Sequence, residues 1–143
     1  MTIHGTYRLL RCEVRWSDGA VDCPYGEDAE GLLVYTPEGY MSGHLMRPDV
    51  PRFRRGARTA LSEQAHEAFL GYLGYFGTYA VDREAGTVTH HVLGSWHPNW
   101  VGTDQIRHFR FEGEDLVIET PPLQSGRRTR VTRLVWRRLP STP

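Results

Sequence analysis

The stretch Thr87–Phe111, TVTHHVLGSWHPNWVGTDQIRHFRF, decides how the chain is read. Alternating residues run from Thr87 to Trp96 and again from Thr103 to Glu112, and the break His97–Gly102 between them carries proline, asparagine and glycine. This predicts two antiparallel strands. On the first strand the more apolar face is Val88, His90, Val92, Gly94 and Trp96, which directs His90 inward and His91 outward. The matching face of the second is Gln105, Arg107, Phe109 and Phe111. A few polar groups among aromatic and aliphatic ones is the furnishing of a ligand cavity inside a barrel.

Working outward, strands separated by turn signals account for most of the chain. Thr6–Trp16 alternates and ends at the breaker SDGA, and a short strand follows near Val21. Leu32–Thr36 and Tyr40–Met46 flank Pro37-Glu38-Gly39 as the clearest hairpin. Arg47–Thr59, with two prolines and five arginines, reads as a connection over one end of the fold. From Ser62 the period changes. Ala65, Ala68, Phe69, Tyr72, Leu73 and Phe76 predict an amphipathic helix over 62–75, with Ser62 as N-cap and Gly74 or Gly77 at the exit. Strands resume at Phe76–Asp82 and continue through Leu116–Thr120 and Thr129–Arg138. The expected architecture is mainly β: an antiparallel up-and-down barrel of about eight strands with one helix, occupying residues 1–143 as one domain.

Composition excludes several functions. Seventeen acidic side chains balance seventeen basic ones, so no net field draws the chain to nucleic acid or to an anionic membrane. Every basic residue is arginine, which leaves no lysine for a Schiff base or a phosphate-binding loop. This bias fits a GC-rich genome. Without a leader pattern or a long apolar run, the sequence reads as that of a cytoplasmic protein. Cys12 and Cys23 form no C-x-x-C pair, and Cys12 is expected to be a buried thiol. Seven histidines show no metal-binding spacing, so no metal or cofactor is expected.

The candidate site residues follow from the faces. An inward Arg107 must find a carboxylate, a carbonyl or water, so it either binds a ligand oxygen or pairs with Glu13 or Glu119. Gln105 divides similarly between ligand and internal network. On the Tyr40–Met46 strand, packing of Met41, Gly43 and Leu45 beneath the helix would turn Tyr40, Ser42 and His44 to the cavity. His44 would then approach His90 as an acid/base group; otherwise it is an exposed or hydrogen-bonded residue. Tyr79 offers a further hydroxyl, and Phe109 an apolar wall. Trp96 and Trp100 form either a lid over a flat ligand or a plug of the barrel end.

Three blocks, YTPEGYMS, GTVTHH and PNWVGT, lie within a similarity that runs from about Gly5 to Arg138. In them the chain resembles the bacterial lipocalin-like domain family, which implies an antiparallel barrel enclosing a cavity. Some lipocalin-like barrels act as cofactor-free cyclases or isomerases, and by that analogy the leading expectation is an enzyme of natural-product metabolism performing cyclisation, isomerisation or hydration. In it Trp96 and Trp100 orient an apolar substrate, Arg107 and Gln105 polarise an oxygen, and His44, His90 or Tyr79 moves a proton. The alternative is a non-catalytic carrier or sensor of a hydrophobic metabolite. Either way the expected partner is a small hydrophobic molecule, with no nucleic acid or membrane, and the protein a monomer or homodimer.

Overall fold

A computed structural model describes all residues from Met1 to Pro143. Ten strands are present: β1 Gly5–Trp16, β2 Val21–Asp22, β3 Glu30–Tyr35, β4 Tyr40–Met46, β5 Tyr72–Asp82, β6 Thr87–Ser95, β7 Asp104–Glu112, β8 Asp115–Glu119, β9 Leu123–Ser125 and β10 Arg128–Arg138. The hydrogen-bonded order is β2-β1-β3-β4-β5-β6-β7-β8-β10-β9, every pairing is antiparallel, and β1 also pairs with β10. That last pairing closes eight strands into a barrel, leaving β2 and β9 as short outer additions. Closure removes the unpaired edges of an open sheet, and the expected meander is the observed one. No helix is long and apolar enough to cross a membrane.

The one α-helix, α1, spans Ser62–Leu70. It is shorter than the sequence period predicts. Ser62 is its first residue rather than its cap, Leu61 occupies the cap position with no side-chain hydrogen bond, and the exit is Gly71. Tyr72, Leu73 and Phe76 belong instead to β5. There Leu73, Tyr75, Gly77 and Tyr79 pair with inward-facing residues of β4 and β6.

Two irregularities shift which residues face inward. Leu9 pairs with Trp136 and Arg11 with Val135, so Leu10 is bulged, and beyond it the inner face passes from Tyr7 and Leu9 to Cys12 and Val14. In β6, Phe76 pairs with Gly94 while Gly77 pairs with Val92, so Leu93 is bulged and 59% exposed. Gly77 permits the close approach here. A Cβ at this position would collide with the carbonyl oxygen of His91.

The barrel is filled unevenly. Tyr7, Leu9, Tyr35, Met41, Val88, Leu116 and Trp136 form a packed core with Phe109 and Phe111 against it. Near the chain ends this core is fastened by Arg138, whose guanidinium lies 4.8 Å from the Tyr7 ring. It donates to the carbonyl oxygens of Thr2 and His4 and to the Tyr7 hydroxyl, which in turn donates to the carbonyl of Ile3. Toward the other end the interior is hollow.

Candidate functional site

The hollow is a cavity of about 670 Å³, within the range of roughly 300–1,000 Å³ usual for small-molecule sites. Its wall comes from late β1 (Cys12, Val14), late β4 (Gly43, Leu45), early β5 (Leu73, Tyr75), early β7 (Gln105, Arg107) and early β10 (Arg130, Thr132). Neighbouring strands run in opposite directions, so late and early segments in alternation lie at one end of the barrel. Pro24 and Tyr25 come from the β2–β3 connection, and Pro121, Pro122 and Leu123 from the start of β9 and the loop before it.

At the inner end of this cavity His90 is 3% exposed and lies between two phenols. Its Nε2 is 2.6 Å from the Tyr35 hydroxyl and its Nδ1 is 2.6 Å from the Tyr75 hydroxyl. Burial, reinforced by the Arg107 guanidinium and by His91, pushes the His90 imidazole down to about 3. It is therefore neutral at ordinary pH. Burial also raises the phenols of Tyr35 and Tyr75, opposed at Tyr75 chiefly by the nearby positive Arg107. The Tyr35–His90–Tyr75 cluster is thus uncharged.

Arg107 and Gln105 are placed by the connection between β6 and β7. His97 precedes Pro98, and residues Pro98–Trp100 make a single 3-10 turn. Proline suits the first position of such a turn because its missing N–H would have no partner there. Trp100 then projects onto Tyr75, with ring centroids 5.5 Å apart at 77°. The Thr103 hydroxyl donates to the Trp100 carbonyl at 2.7 Å and accepts from the Gln105 amide at 3.0 Å. Gln105 Oε1 accepts from Arg107 at 3.4 Å, and Arg107 also donates to the Ile106 carbonyl at 3.0 Å. The guanidinium carbon is 5.9 Å from the Trp100 ring.

Arg107 makes no ion pair. The two carboxylates expected as its partners are engaged elsewhere: Glu13 takes Arg11 at 2.6 Å and Arg15 at 2.7 Å, and Glu119 takes Arg110. The other cavity wall groups are mainly apolar, and burial pushes the Cys12 thiol up to about 12, keeping it protonated.

Other sequence-predicted residues lie away from this inner end. The inner face of β4 is Met41, Gly43 and Leu45, so Tyr40, Ser42 and His44 point outward, contrary to the expected arrangement. Although the His44 segment contributes to the cavity wall, its imidazole is held outside: Nδ1 is 2.7 Å from the Tyr72 hydroxyl and Nε2 is 2.9 Å from the Ser42 hydroxyl. The helix does not cover this outer face, leaving Tyr40 58% exposed. Burial of the apolar set inside the barrel decides the orientation. Tyr79 packs edge-on against Tyr35 at 4.8 Å and donates to the Thr36 carbonyl at 2.6 Å, away from the cavity wall. Phe109 belongs to the packed half.

The two tryptophans separate. Trp100 lines the cavity, whereas the β6 bulge removes Trp96 from the inner alternation and sets it between Phe69 of α1, at 6.3 Å, and Trp100, at 5.2 Å. Sequence reasoning missed Tyr75, Tyr35 and Cys12 as parts of the site. The available signal for Tyr75 was its alternation with Leu73 and Tyr79, hidden by the helical period assigned to the same residues.

Comparison with known proteins agrees with the barrel fold. The chain is 35% identical over 109 residues to a protein of Aspergillus oryzae (strain ATCC 42149 / RIB 40) named as a 4′-hydroxy-3′-methoxypropiophenone carrier protein, a match covering 70% of this chain and 97% of that one. No solved structure matches. Residues 4–139 match the family described as the lipocalin-like domain, and with its closed antiparallel barrel the chain belongs to that family.

Proposed function

We propose that this protein is a carrier of a small hydrophobic molecule, held in the barrel cavity with its polar end toward Arg107 and Tyr75. The observation that carries this reading is the cavity of about 670 Å³, mainly apolar in its wall, with His90, Tyr75 and Arg107 among its polar groups. An apolar ligand entering it leaves water, at roughly 25 cal/mol for each Å² of apolar surface buried. The Aspergillus oryzae relative is named as a carrier of an aromatic ketone, a molecule whose flat apolar body and oxygen substituents suit such a space.

Carriage is favoured over acid/base catalysis by the state of the histidines. The His44 imidazole is outside the barrel, and His90 is a weak base with both nitrogens occupied. Proton transfer in a cyclase or isomerase would need a group matched to neutral pH at the reacting atoms. Native mass spectrometry of the purified protein, followed by denaturing extraction, tests the reading. The expected result is one apolar organic molecule per chain, or stoichiometric uptake of one from a panel of aromatic ketones and acids. Failure to bind any member of the panel would overturn it, and conversion of the bound molecule to a product would replace the carrier with an enzyme.

A further inference from the structure

Hydrogen-bond bookkeeping around His90 reaches the chemistry of the ligand. A neutral imidazole has one N–H and one bare nitrogen. One of its two phenol partners therefore donates to it, and the other accepts from it and keeps a proton for a further acceptor. Tyr35 is 1% exposed and its hydroxyl has no second partner. Were Tyr35 the acceptor, its own proton would be buried with nothing to receive it, a costly arrangement. Tyr75 stands on the cavity wall beside Arg107. The arrangement that satisfies the buried groups has Tyr35 donating to His90 Nε2 and His90 Nδ1–H donating to the Tyr75 oxygen. The Tyr75 hydroxyl proton is then free to point into the cavity.

Arg107 supplies the second half. It donates to the Gln105 amide oxygen and the Ile106 carbonyl, faces the Tyr75 hydroxyl, and has no carboxylate partner. A guanidinium has five N–H donors and is not neutralised in proteins. Gln105 gives one amide N–H to Thr103 and turns its oxygen to Arg107, so what it has left for this end of the cavity is a further N–H donor.

We propose that the inner end of the cavity is a donor-only pocket, formed by the Tyr75 hydroxyl and the Arg107 guanidinium, that selects an apolar ligand ending in an anionic oxygen. A carboxylate, or an ionised phenol or enol, meets both demands: it accepts from each donor and supplies the missing counter-charge. His90 is the positioning residue, fixing the direction of the Tyr75 proton through its tautomer. This rests on the carrier reading and adds to it the charge of the cargo.

Two measurements test it. Long-range 15N NMR on His90 reads the tautomer without any ligand: protonated Nδ1 and bare Nε2 are expected, and the opposite tautomer overturns the assignment. Calorimetric titration then compares three naphthalenes substituted at the same carbon with a carboxylate, an acetyl or an ethyl group. The carboxylate should bind about 10-fold or more tightly than the acetyl compound. That preference should vanish in Arg107→Met while binding of the ethyl compound persists, showing that the cavity survives the substitution. Tyr75→Phe should weaken the carboxylate several-fold more than the ethyl compound. Equal affinity of the wild-type protein for all three overturns the charge assignment and leaves the carrier reading standing. Absence of binding by all three overturns the carrier reading with it. If Arg107→Met does not fold, the wild-type order alone decides.

Discussion

At the scale of single residues, His90 joins stability to the cavity. Replacing it by phenylalanine leaves the Tyr35 and Tyr75 hydroxyls buried without their partner, at about 1–3 kcal/mol for each. His90→Phe should therefore lower the urea midpoint strongly, and His90→Gln, which can still bond to a phenol, should recover part of the loss. The pH dependence has a definite sign. The folded imidazole is pushed down to about 3 from an ordinary value near 6.5, so between those values the unfolded chain binds the extra proton. The stabilisation from neutral His90 is fully present above about 6.5 and is lost as pH falls toward 3, on the order of 5 kcal/mol in all. Urea titrations at neutral pH and near pH 4.5 should show this loss in the wild-type protein and a smaller one in His90→Gln.

Among the elements, the bulged pairing of β5 with β6 is the feature on which the site depends. It sends Trp96 out to α1 and leaves Ser95 opposite Tyr75. Gly77→Ala would press a methyl group against the His91 carbonyl oxygen, and β5 or β6 would have to shift to relieve it. The expected cost is about 3 kcal/mol or more, by analogy with other overpacked sites, read as a fall in thermal midpoint. The number of barrel strands, their order and the inward face of β7 were legible because simple alternation holds there: Gln105, Arg107, Phe109 and Phe111 lie on the interior side in the sequence and in the fold, whereas the short outer β9 falls where proline and glycine read as a break. The faces of β4 and β6 were less legible. A bulge at Leu93 changes the alternation without any glycine or proline at that position to announce it. On β4 one face is apolar and the other largely polar, but local sequence does not say whether the apolar face packs beneath the helix or inside the barrel. Helical spacing likewise continued past Gly71, because Tyr72, Leu73 and Phe76 satisfy the 3.6-residue period while Leu73, Tyr75, Gly77 and Tyr79 satisfy the period of two. Pairing with β4 settled the competition in favour of the strand.

For the whole molecule, one half of the barrel carries the packed core and the other carries the cavity. Filling the hollow should consequently separate binding from stability. Thr132 of β10 lines the cavity wall, and Thr132→Trp should reduce affinity for an aromatic ligand by about 10-fold or more while changing unfolding free energy by only about 1 kcal/mol. Calorimetric binding and urea unfolding of the same variant would check both numbers. A parallel loss of stability would mean that the hollow half contributes to the core after all. The division also explains why the site was only partly legible in the sequence: inward direction can be read from alternation, but which inward residues border empty space depends on how eight strands fill the interior together.

The pairing of β1 with β10 also imposes an order on the making of the protein. The strands that complete the ring are the first and the last in the chain, so loop closure spans nearly its full length and most of the backbone must be present before the interior is shut off from water. On the ribosome, the earlier strands can form hairpins with their neighbours while the wall contributed by β10 is still being synthesised. Closure of the cavity is therefore a late event, open only to a chain whose final strand has emerged, and a ribosome stalled before Arg128 would display a β meander with no enclosed compartment.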